Sequence, residues 1–245
     1  MRSSGYYLPT LTKINKTFIM TVAALFVLGQ IGQSFGMLNL ANYLGASGDG
    51  FRSGFIFQPF TYFLIEKSFL SLLFNALMIW FMGSDLEARF GQKAYLKILG
   101  LALFIPGLIY CLISGFIFPN SAFSSHILLG LTGLNFTFCM AQATMEPNRV
   151  FSFFFVFPMR AIHFCGLLVL MELYSLFFGG GIYTAWVHLM GMALGWIVIK
   201  GQKNRLLHWY FSESSSRPVK KAKISNHLKL IKPDDKNSKP PHYWQ

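Results

Sequence analysis

A hydroxyl between glycines, a histidine on a glycine-bearing helix face and an amide inside an apolar run are the side chains best suited to chemistry in this sequence. The hydroxyl is Thr132, in Gly130-Leu131-Thr132-Gly133. If Thr132 starts a helix, free backbone N–H groups and the positive helix end surround it, a setting that stabilises an oxyanion. The same position equally suits a threonine that caps a small-residue packing face. His188 stands before Gly191 and Gly195 at i, i+3 and i+7, so the three share one face. The glycine pair lets a second helix approach to backbone distance. A histidine there either reaches a hydroxyl on that helix as its base or serves as a structural polar residue at a helix end. Ser71 and Asn75, at i and i+4, also share a face; the Asn75 amide either holds a ligand oxygen or bonds another helix. Glu87 and Arg89 read as a structural tie at a membrane boundary. His126, His163 and Glu172 are weaker candidates, and Glu172, deep in an apolar run, needs a partner or a proton.

A bilayer is the solvent that must position these groups. Of 245 residues, 53% are hydrophobic and 12% charged, about half the charge density of a soluble domain. Eleven of the 21 Lys and Arg lie from Lys200 onward, and the preceding 199 residues hold only ten bases and six acids. Apolar runs predict spans at about 17–38, 63–83, 95–117, 128–146, 160–179 and 183–200. The first run is long enough to span and lacks a small-residue cleavage pattern after it, so it reads as a span and not a cleaved leader. The apolar stretch 150–159, interrupted by Pro158, reads as an interfacial lead-in to the fifth span. The segment 39–62, rich in Gly, Phe and Asn, falls short of span length and is expected to lie in the membrane interface.

Orientation follows from the bases. With the N-terminus inside, Arg2, Lys13, Lys16, Arg89, Lys93, Lys97, Arg149 and Arg160 face the cytoplasm, and only Arg52 and Lys67 lie outside. Both termini are then cytoplasmic. The expected organisation is an N-terminal segment at 1–16, a membrane domain at 17–200 and a basic, largely disordered tail at 201–245, suited to anionic lipid headgroups. This distribution accounts for the net charge of +12 without nucleic acid. Cys111, Cys139 and Cys165 lie in apolar runs with no CxxC spacing, so they read as packing residues and not as a disulfide or zinc framework.

In order and spacing these pieces resemble the rhomboid family of intramembrane serine proteases over roughly residues 17–200. The run from Gln58-Pro59-Phe60-Thr61-Tyr62 through Phe74-Asn75 to Gly83-Ser84-Asp85-Leu86-Glu87-Ala88-Arg89-Phe90-Gly91 is similar to the family's second-span block. Gly130-Leu131-Thr132-Gly133 stands in the place of its GxSG nucleophile motif, and His188-Leu189-Met190-Gly191 in that of its HxxG block. Phe136 falls where rhomboids carry an aromatic under the histidine. The resemblance implies an all-α, six-helix bundle embedded in the lipid bilayer, with a Thr132–His188 dyad opening outward and no metal or cofactor. Asn75, Ser71, Gly130, Gly133 and Phe136 would support that site, and transmembrane segments of other proteins would be its substrates or clients. A bacterial inner membrane is the default location for so compact a core.

Three positions depart from the family pattern. Threonine replaces the nucleophilic serine, Ser71 stands where a histidine helps bind the oxyanion, and Glu66 stands where a further histidine is common. Threonine can act as a nucleophile, but its extra methyl stiffens χ1 and crowds the site. A missing oxyanion donor typically costs 10²–10³ in rate, about 3–4 kcal/mol. The expectation is therefore a helix-binding protein that is inactive or very slow. The alternative is an active serine/threonine-type intramembrane endopeptidase using Thr132 and His188. A solute transporter fits less well, because the sequence has neither an internal repeat nor a ring of pore-lining charge.

Overall fold

Polar caps decide where the apolar runs become helices. Thr12 accepts a hydrogen bond from the Asn15 amide and opens α1 (Lys13–Ser34). Ser68 accepts from the Ser71 amide and opens α2 (Phe69–Phe90), later than the apolar run alone suggests. Gly91, at φ +77°, turns the chain directly into α3 (Gln92–Ile117), a conformation that glycine adopts without strain. The remaining helices are α4 (Thr132–Met145), α5 (Ala161–Phe177) and α6 (Ile182–Lys203). The computed structural model describes residues 10–36, 39–153, 157–179 and 181–203; most of the expected basic tail lies outside them.

Four of these helices are long and apolar enough to cross a membrane: α1, α2, α3 and, over Ile182–Gly201, α6. The other two are shorter. At 14 residues, α4 rises only about 21 Å, less than the hydrocarbon core of about 30 Å. It is nonetheless central, with Gly133, Leu134, Asn135, Thr137, Phe138, Cys139, Ala141, Gln142 and Ala143 all buried. Helix α5 has 17 residues, of which Ala161, Phe164 and Cys165 are buried. The predicted fourth span at 128–146 is thus helical only from Thr132, and residues 128–131 form a non-helical approach to it.

The stretch expected as an interfacial lead-in is a two-stranded hairpin, β1 (Val150–Phe153) with β2 (Phe157–Arg160). Val150 pairs with Arg160 and Ser152 with Pro158. Proline, lacking an N–H, is tolerated in a two-stranded ribbon because every strand there is an edge.

The segment 39–64 folds into the short helices Leu40–Leu44 and Gly48–Arg52 and two tight turns, Gln58–Phe60 and Tyr62–Leu64. It is pinned to the approach to α4. Ala46 and Leu128 exchange backbone hydrogen bonds of 3.0 and 2.8 Å, and the Gly130 amide donates to the Tyr62 carbonyl. Asp49 accepts from the hydroxyls of Ser124 and Ser125; these bonds hold its carboxyl below the usual range, with Arg52 acting in the same direction. Inside the bundle, Asn15 is fully buried. Its amide donates to Ser84 and its carbonyl accepts from the Tyr95 hydroxyl, so one side chain joins α1, α2 and α3.

Candidate functional site

The first two turns of α2 present Ser71 and Asn75 toward the start of α4. Between them lies the carboxylate of Glu66, which precedes the Ser68 cap and is only 4% exposed. Its Oε2 accepts from the Ser71 hydroxyl at 2.7 Å. Its Oε1 accepts from Asn75 Nδ2 at 2.8 Å and from the Leu131 backbone N–H at 3.0 Å. Asn75 is itself held, since its Oδ1 accepts from Asn135 Nδ2 at 2.7 Å. Gly130, at φ +99°, makes the turn that aims the Leu131 amide at the carboxylate, and a Cβ on it would lie 3.3 Å from Glu66 Oε2. The result is a buried chain of polar groups in which one carboxylate collects three donors.

Thr132 begins α4 beside this cradle, half-buried, and its hydroxyl makes no hydrogen bond with the described residues. His188 lies nearly two turns into α6, and its Nδ1 stands 3.0 Å from Oε1 of Glu172 on α5. Its ring sits edge-on to Phe136, with centroids 4.8 Å apart. The pairing of His188 therefore crosses from α6 to α5, and no hydrogen bond joins it to Thr132.

Helix α6 reaches α4 through its glycines. A Cβ on Gly191 would lie 2.4 Å from the Gly133 carbonyl oxygen, and one on Gly195 would lie 2.3 Å from that of Thr137. Gly133 faces Val187 in return, with 3.4 Å available to a Cβ. The distances at Gly191 and Gly195 leave no room for side chains there and set how close His188 comes to the start of α4.

Glu87 and Arg89, read as a structural tie, have different surroundings. Positions two apart on a helix point to opposite sides. Arg89 pairs with Asp85 one turn back, at 2.8 Å, and with both oxygens of Glu146, at 2.7 and 3.1 Å. Asp85 also accepts from Arg149 and Gln142, at 2.8 and 2.7 Å, so the cluster joins α2, the end of α4 and the approach to the hairpin. Glu87 Oε2 is buried and makes no hydrogen bond with the described residues.

Ser71, Asn75 and the Gly130 turn converge on Glu66, and Phe136 meets His188. Three participants were not singled out as site residues from sequence. Glu66 stood out only as a departure from a family pattern. Glu172 was set aside, although an acid deep in an apolar run announces a need for a partner. Asn135, three residues after Thr132, offered the signal of an amide within an apolar helix. Among the described residues, no three His, Cys, Asp or Glu side chains gather as a metal site requires. His126, in the approach to α4, packs against Tyr183 with ring centroids 4.9 Å apart. Burial lowers its pKa, and the nearby charge of Lys67 lowers it further.

Comparison with known proteins adds one finding. Residues 16–200 match the family model described as "Eukaryotic integral membrane protein (DUF1751)". No curated protein matches the chain. The family is eukaryotic, and this replaces the bacterial inner membrane expected from the compact core. By a match over most of its length, the chain belongs to this family of eukaryotic integral membrane proteins.

Proposed function

We propose that the chain is a rhomboid-like, proteolytically silent protein that holds transmembrane helices of other proteins without cutting them. In this reading all six helices form the membrane bundle, α4 lies protected at its centre, the Thr132 end faces outward and both termini are cytoplasmic. The tail rests on anionic headgroups. The observation that carries the silence is the Glu66 carboxylate. An oxyanion forming beside Thr132 would need donors such as the Leu131 N–H and the Asn75 amide, and both already bond Glu66. Removing one such donor costs about 10²–10³ in rate, and a fixed negative charge in the same cradle adds repulsion. His188, engaged with Glu172, is not poised on the Thr132 hydroxyl.

The helix-holding half of the proposal is supported by α5. Its buried residues all fall within its first five positions. The remainder, which carries Glu172, presents Leu170, Met171, Tyr174 and Phe177 outward. A face packed so lightly against its own bundle leaves a lateral approach to the His188 side of the site.

The test is retention of a helix. In proteoliposomes carrying a photo-crosslinkable transmembrane segment of a generic rhomboid substrate, the parent and Thr132→Ala are expected to capture it equally. Leu170→Lys and Phe177→Lys, which place charge on the α5 face, are expected to reduce capture. Capture that requires the Thr132 hydroxyl, or that ignores both lysines, would contradict the proposal.

A further inference from the structure

Beyond its cradle, Glu66 also lines a second space. A cavity of about 250 Å³ lies between α1 and the corner before α2, walled by Phe26, Gly29, Gln30 and Gln33 on α1 and by Glu66 and Lys67 opposite. One wall therefore carries a carboxylate and an ammonium on adjacent residues, and the facing wall carries two neutral amides. The three donors to Glu66 are all uncharged groups, and no ion pair engages it among the described residues. A carboxylate offers about four acceptor positions, so one remains, on Oε2. A buried carboxylate with neutral partners only is costly and gains most from a cation brought to it. The volume suits a polar headgroup and not a whole lipid. Leu25 and Phe26 of α1, with Leu40, Ile65 and Leu129, supply apolar lining, a surface on which the first part of the acyl chains can rest.

We propose that this cavity binds the headgroup of a phospholipid bearing a primary ammonium, with Glu66 taking the ammonium, Lys67 the phosphate and the acyl chains lying along α1. Neither Thr132 nor His188 lines this cavity, so lipid retention does not depend on the fate of the proteolytic reading.

The experiment uses the full chain in nanodiscs of equal phosphatidylethanolamine and phosphatidylglycerol, released and weighed by native mass spectrometry. The parent is expected to retain one phosphatidylethanolamine with about tenfold preference, a difference of about 1.4 kcal/mol. Gly29→Leu fills the cavity from α1, where a Cβ meets nothing nearer than Leu40 Cδ1 at 3.5 Å, and is expected to abolish retention. Glu66→Gln keeps a hydrogen-bonding side chain of the same shape and is expected to bring the two lipids to parity. Equal retention of both lipids by the parent would overturn the proposal, as would a preference unchanged in Glu66→Gln. If Gly29→Leu proves unstable, the Glu66→Gln comparison decides alone.

Discussion

Gly195→Leu is expected to destabilise the membrane domain by about 3 kcal/mol or to prevent its folding. The reason is the kind of atom in the way. A Cβ at 195 would lie 2.3 Å from the Thr137 carbonyl oxygen and 3.2 Å from the Ala141 amide nitrogen. These are backbone atoms of α4, which cannot rotate aside as a side-chain tip can. Helices α4 and α6 would have to separate, carrying His188 from Phe136. Gly166→Ala on α5 is the matched control, since nothing lies within 4 Å of a Cβ there. It is expected to be neutral or slightly stabilising, because alanine favours helix over glycine by about 1 kcal/mol. Thermal unfolding of the detergent-purified protein, followed by tryptophan fluorescence, checks both. A Gly195→Leu variant melting with the parent would refute the close α4–α6 contact.

Asn75→Leu is expected to cost about 3 kcal/mol, because it strands one buried amide and takes a donor from a buried carboxylate at once. Glu66 Oε1 loses a 2.8 Å donor, and Asn135 Nδ2 loses its 2.7 Å acceptor. Glu66→Leu alone strands the Ser71 hydroxyl, the Leu131 N–H and Asn75 Nδ2, and the loss of the Glu66–Asn75 bond is common to both substitutions, so the double variant is expected to cost less than the sum of the two. The two substitutions should therefore be strongly non-additive in unfolding measurements. Strict additivity would show that Glu66 and Asn75 do not share one network. Ser71→Ala, which removes a single hydroxyl, should cost about 1 kcal/mol.

Much of this architecture was legible because membrane solvent imposes simple rules. The long apolar runs around α1, α2, α3 and α6 announce themselves by length, and the Gly191/Gly195 spacing announces a close helix contact. Helix α4 was harder to bound, because burial by neighbours lets a helix be shorter than the bilayer, and no side-chain cap marks its start. The hairpin at 150–160 escaped because a run of Phe and Val suits either an interfacial segment or a strand. At the site, the residue types were visible but the pairings were not. Ser71 and Asn75 pointed to a common face, yet nothing local showed that Glu66, before the Ser68 cap, would fold back between them. Glu172 and His188 are 16 residues apart on different helices, a relation that packing alone determines. The partners of Arg89 are Asp85, one turn back, and Glu146, 57 residues away, and only the first is readable from helical spacing.

The most direct measurement is proteolysis itself. Purified parent, Thr132→Ala, Thr132→Ser and His188→Ala would be reconstituted with a generic transmembrane rhomboid substrate, and the products resolved by gel and mass spectrometry. With Glu66 holding the Leu131 and Asn75 donors, no variant is expected to cut above background, Thr132→Ser included. Cleavage by the parent that vanishes in both Thr132→Ala and His188→Ala would contradict the account and establish a working Thr132–His188 dyad.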